Sequence, residues 1–99
     1  MTGTPQDVQL EDQALVARLV AGDDRGLSGL YDRHGSMAYS LAMAILRDAP
    51  DAEEVVAEAF AQVWRTAASF DLYRGSVAAW ISTIVRTRAL DLIRSQRRR

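Results

Sequence analysis

A long apolar stripe at the helical period constrains this chain more than any other feature. In DDRGLSGLYDRHGSMAYSLAMAILRD, Leu27, Leu30, Tyr31, His34, Met37, Ala38, Leu41, Ala42 and Ile45 recur at three- and four-residue steps. Such spacing places the residues on one face of a helix, whereas a strand needs alternation every second residue. Gly26, Gly29 and Gly35 lie inside the run, and each costs about 1 kcal/mol against alanine in a helix interior. A break near Gly26 or Gly35 is therefore an alternative to one unbroken helix, although the stripe continues across both. His34 falls at the stripe's edge and reads as a hydrogen-bonded structural residue. Pro50 marks the end of this helix.

The flanking segments repeat the helical pattern. Residues 1–10 read as a disordered lead-in. EDQALVARLVAGD then places Ala14, Leu15, Leu19 and Val20 on a short amphipathic helix, with Gly22 as its C′ stop. In DAPDAEEVVAEAFAQVWRTAASF, Asp48 or Asp51 can cap a further helix, and Asp51 with Glu54 has capping-box spacing. Val56, Ala59, Phe60, Val63 and Ala67 share one face of it; Glu54, Glu58, Ala61, Gln62 and Arg65 lie opposite. SFDLYRGS interrupts the period, with Gly75 and Ser76 as loop and N-cap of the last helix. No period-2 run bounded by turn residues occurs. The expected fold is all-α, a compact bundle of four helices over residues 11–95 with short connections, and residues 96–99 begin a linker.

The last helix separates its apolar and basic residues. Ala78, Ile81, Val85, Ala89 and Leu92 fall on one side; Thr83, Arg86, Thr87, Arg94 and Arg97 fall on the other, with Leu90 among them and Arg98 nearby. Charge is divided along the whole chain as well. Met1–Phe60 carry 11 acids against 4 arginines, a net −7; Ala61–Arg99 carry 2 acids against 8 arginines, a net +6. An acidic half and a basic half imply two surfaces with different partners. A guanidinium stripe over three turns exceeds what a helix dipole asks for and matches the footprint of a phosphate backbone. The alternative is a solvated face on a helical protein-interaction adaptor. Phe70, Tyr73 and Trp80 around Arg74 suit unstacked bases, which need π-faces and positive charge, although aromatics in so small a helical domain are more often core.

Composition removes several other classes. The 99 residues fit one domain. There is no cysteine, hence no disulfide framework and no thiolate chemistry, and His34 is the only histidine. Glu53, Glu54 and Glu58 resemble a carboxylate cluster, but no E-x-x-H motif accompanies them, so no metal, cofactor or enzymatic activity is expected. The N-terminus MTGTPQDVQLEDQ is polar and acidic, without a secretory signal, and no apolar run approaches the roughly 18 residues of a membrane span. A cytoplasmic location follows as the expectation.

DAEEVVAEAFAQVW (51–64), FDLYRGSVAAWISTIVRTRALDLIR (70–94) and LYDRHGSMAYSLAMAILRD (30–48) together resemble region 2 of bacterial extracytoplasmic-function (ECF) sigma factors, over roughly residues 10–97. The combined pattern is specific, whereas neither half of it is so alone. The resemblance implies that the third helix docks on a coiled coil of the largest subunit of the RNA polymerase core, through Asp51, Glu53, Glu54, Glu58, Gln62 and Trp64. It implies that the loop and last helix hold the non-template strand of the promoter −10 element, with one base flipped into a loop pocket. Phe70, Tyr73, Arg74, Gly75, Ser76 and Trp80 would serve the pocket, and Thr83, Arg86, Thr87, Arg94, Arg97 and Arg98 the strand. It also implies an anti-sigma factor as inhibitor. The family often has asparagine where Thr87 stands; a threonine hydroxyl cannot make the bidentate adenine contact of an amide, so no −10 base preference carries over. Full-length members continue into a second, helix-turn-helix domain for the −35 element. The expectation is that this chain is the promoter-melting domain without it.

Overall fold

Four α-helices and one 3-10 turn make up the computed structural model, which describes residues 4–71 and 75–98. Helix α1 runs Pro5–Val20. Thr4 Oγ1 accepts from the Asp7 amide at 3.1 Å, and Asp7 Oδ2 accepts from the Thr4 amide at 3.3 Å. This capping box, followed by proline at the first helical position, is a strong start signal. Residues 5–10, expected as a disordered lead-in, are thus the opening turns of α1. The helix ends as expected at Gly22, whose φ of 85° suits glycine. The Gly22 amide donates to Leu19 O and the Asp23 amide to Arg18 O, the paired bonds of a Schellman motif.

The inward face of α1 departs from its apolar pattern. Ala14 and Val20, expected on the packed side, are exposed. Asp12, Val16 and Leu19 are buried instead, with Leu15 half-buried. The reason is a charged residue turned inward. Asp12 accepts from Arg33 Nε at 2.6 Å and from His34 Nε2 at 2.9 Å, both on the next helix. Arg33 also donates to Glu11 at 2.7 Å. The hydrogen bond that Arg33 donates to Asp12 does most to raise the Arg33 pKa, so this guanidinium stays charged.

Helix α2, Arg25–Leu46, is continuous through all three glycines and packs against each of the other helices. Gly26 lies at the crossing with α1. A Cβ there would stand 2.5 Å from the Leu15 carbonyl oxygen, so the two backbones touch and only glycine allows the approach. The close contact outweighs the helix-propensity penalty of glycine. Arg47, in the left-handed region at φ 54°, ends α2. Pro50 does not end it, contrary to the sequence reading; it stands in the first turn of α3, where its missing N–H is harmless.

Helix α3 spans Ala49–Thr66 and is capped by Asp48, which accepts from the Asp51 amide at 2.9 Å. Of the two capping candidates the structure selects Asp48. A 3-10 turn, Ala67–Ser69, leads to the loop, and Ser76 caps α4, Val77–Arg97, through the Ala79 amide at 3.0 Å. The expected inward residues of both helices are inward: Val56, Ala59, Phe60, Val63 and Ala67 are buried, as are Ile81, Val85 and Ala89, with Ala78 and Leu92 half-buried. No described helix is long and apolar enough to cross a membrane.

Candidate nucleic-acid and protein interfaces

The loop and the start of α4 enclose a cleft. Ser69, Phe70, Asp71, Gly75, Ser76, Trp80 and Thr83 line a volume of about 270 Å³. Phe70 and Trp80 stack with ring centroids 4.8 Å apart at 30°, and both are only half-buried. The stack carries an apolar, polarisable surface to the cleft, flanked by the Ser69, Ser76 and Thr83 hydroxyls. Of the expected pocket residues, Phe70, Gly75, Ser76 and Trp80 are brought together here. Tyr73 and Arg74 lie outside the described residues.

From the cleft a polar stripe runs down α4. Thr83, Arg86, Thr87, Arg94, Arg97 and Arg98 are all exposed, with Leu90 among them. Arg86 to Arg97 covers about 16 Å of helix axis at 1.5 Å per residue. Among the described residues no acid pairs with Arg86, Arg97 or Arg98. Arg94 pairs with Asp91 at 3.1 Å. Their side chains are 65% and 63% exposed, so the pair is worth only a few tenths of a kcal/mol, and a phosphate can displace the carboxylate. Arg99 lies outside the described residues.

Arg88 belongs to a different surface. It points from α4 to α3, where Nε donates to Gln62 Oε1 at 2.9 Å and Nη1 to Glu58 at 3.1 Å. Farther along, Gln96 Nε2 donates to Asp51 Oδ2 at 2.9 Å. The expected docking set on α3 therefore divides. Asp51, Glu58 and Gln62 face α4 and are tied to it. Glu53 lines a groove of about 680 Å³ with Tyr31, Asp32, Ser36 and Tyr39 of α2. Glu54 and Trp64 are exposed, Trp64 at 39%. The acids of α3 do not form one uniform patch; half of that set holds the last helix in place.

The sequence reading missed two functional-site neighbours. Arg88 has no role in the sequence reading, although its position on the inward side of α4 separates it from the exposed stripe. Gln9 of α1 was assigned to the disordered lead; it hydrogen-bonds both Gly75 and Val77 at the rim of the cleft. No local pattern signals a contact spanning that much sequence.

The family model for sigma-70 region 2 matches residues 30–99. An ECF RNA polymerase sigma factor SigK from Mycobacterium bovis (strain BCG / Pasteur 1173P2) is 36% identical over 96 residues, covering 97% of this chain and 51% of the relative. The SigK of Mycobacterium sp. (strain KMS) is 38% identical over 101 residues, with 97% and 52% covered. The chain thus spans about half the length of the curated relatives it matches. Among solved structures, an engineered region 2 of sigmaE, determined by NMR in complex with GTAAAA, superposes with a TM-score of 0.79. It shares 31% identity, and the match covers 88% of this chain and 90% of that one.

Proposed function

This chain belongs to the sigma-70 region 2 family, and from that premise we propose that it recognises and melts the promoter −10 element for an ECF-type sigma factor, directing initiation while docked on the core RNA polymerase. The observation that carries the reading is the exposed arginine stripe of α4, free of strong internal ion pairs and continuous with an aromatic-lined cleft. Unstacking a base costs a few kcal/mol. Stacking on an aromatic face returns about 1–3 kcal/mol per base, and arginines along the backbone add the electrostatic share. In this reading Phe70, Tyr73, Arg74, Gly75, Ser76 and Trp80 receive the flipped base. Thr83, Arg86, Thr87, Arg94, Arg97 and Arg98 follow the non-template strand. That the similar sigmaE domain was solved in complex with GTAAAA supports the assignment.

The polymerase contact falls to Glu53, Glu54 and Trp64, the members of the α3 set not tied to α4, with Asp51, Glu58 and Gln62 at its margin. Acids facing a basic coiled coil steer the encounter. An anti-sigma factor that covers both surfaces would hold the protein inactive, and the domain works in the cytoplasm, where promoter and polymerase are.

Binding of a fluorescent single-stranded −10 oligonucleotide across a salt series tests the nucleic-acid half. With four arginines on phosphates, log K falls against log salt with a slope of about −3, at roughly 0.7 per phosphate on a single strand. A slope near zero returns the domain to the adaptor reading. Arg86→Ala reduces the slope by about 0.7 and weakens binding, while its stability stays within about 0.5 kcal/mol because the side chain is off the packed face. For the protein half, charge reversal of Glu53 and Glu54 together abolishes capture by core polymerase in a pull-down and leaves oligonucleotide binding intact. Glu58 is kept in that experiment, since its reversal would also break the tie to Arg88.

A further inference from the structure

We infer that Gln9 of α1 is a positioning residue for the base-receiving cleft, setting its sequence selectivity; the inference rests on the promoter reading above. Gln9 is half-buried and uses both ends of its amide. Nε2 donates to the Gly75 carbonyl at 3.3 Å, and Oε1 accepts from the Val77 amide at 3.2 Å. These bonds straddle Ser76, which lines the cleft together with Gly75.

The start of α4 is therefore capped twice, by different elements. Ser76 Oγ takes the Ala79 amide from within the segment. Gln9 takes the Val77 amide from across the fold. Val77 itself is fully buried, so its amide has no ready alternative in water. Gly75, at φ 151°, has the backbone freedom of glycine and would otherwise sample many conformations. The amide of Gln9 removes that freedom at one wall of the cleft before any base arrives. Preorganisation of this kind raises affinity for the ligand that fits and does nothing for one that does not.

The anchor behind Gln9 is rigid. One turn farther along α1, Asp12 is held by Arg33 and His34 of α2. The cleft wall is thus referenced to the α1–α2 pair and not only to its own loop. With Gln9 removed, the Gly75 carbonyl becomes a mobile acceptor that can meet any exocyclic amine. Discrimination between bases then falls, while the arginine stripe still holds the phosphates.

Gln9→Met tests this in the full 99-residue chain. It keeps the length of the side chain and its helix propensity but makes neither bond. The probes are fluorescein-labelled GTAAAA, its single-base variants and hexathymidine. Wild type binds its tightest hexamer well above hexathymidine. In Gln9→Met that ratio falls about five- to tenfold, affinity for hexathymidine stays within about twofold, and the melting temperature moves by less than about 16 °C, the shift of two such hydrogen bonds. A variant that keeps the wild-type ratio overturns the inference and leaves the promoter reading standing. So does a variant that loses both affinities equally, since that is the mark of general destabilisation. A wild-type protein that binds every hexamer alike overturns the promoter reading itself and the inference with it.

Discussion

Asp12→Ala lowers the free energy of unfolding by about 3 kcal/mol, a drop in melting temperature on the order of 12–20 °C for a domain of this size. Asp12 is 1% exposed and its carboxylate accepts from both Arg33 and His34. Alanine removes the charge and leaves its partners. His34, 8% exposed, loses its bond inside the packed interior. Arg33 retains Glu11 at 2.7 Å, which places the loss at the lower end of the range for a broken buried pair. Asp12→Asn keeps an acceptor of the same shape and should fall between wild type and alanine. Thermal and urea unfolding of the three proteins check the order. A loss under about 1 kcal/mol for alanine would show that Val16 and Leu19 alone dock α1.

Phe60→Ala has the second large effect, about 3–4 kcal/mol by urea unfolding. Phe60 is 4% exposed and meets Tyr31 of α2 edge-on, with ring centroids 5.2 Å apart and planes at 68°. It belongs to the buried core cluster that also holds Ala59 and Val63 of its own helix and Leu30 of α2. A close-packed interior relaxes only partly around a hole the size of a phenyl ring, so most of the cavity persists. Phe60→Leu keeps most of the volume and should cost less than about 1.5 kcal/mol. A silent Phe60→Ala would mean that α3 turns a different face to α2.

These two sites differ in how visible they were. Phe60 follows from periodicity, because an apolar residue in phase with Val56, Ala59 and Val63 has one favourable place to go. Asp12 does not, because an acid in an amphipathic helix is ordinarily solvated, and only Arg33 and His34 on another helix make its burial tolerable. The same distinction runs through the candidate site. The stripe of Arg86, Arg94 and Arg97 was legible as a stripe, since angular position on a helix needs only the sequence. The division of Asp51, Glu58 and Gln62 from Glu53 and Trp64 was not, since it depends on where α4 lies against α3. Residues 5–10 were misassigned for a related reason. Their helix starts on a readable capping box, but its packing contacts are made by residues far along the chain.

By itself the sequence determined the helical class, the apolar faces of α2, α3 and α4, the glycine stop of α1 and the segregation of charge. These are local properties, set by the 3.6-residue period and by the backbone needs of caps and turns. Tertiary structure alone decided which way α1 faces, which acids remain free and which residue holds the rim of the cleft. Those outcomes depend on pairings between residues 21 to 68 positions apart, and a side chain's hydrogen-bond partner is selected by the packed geometry, which no local pattern encodes.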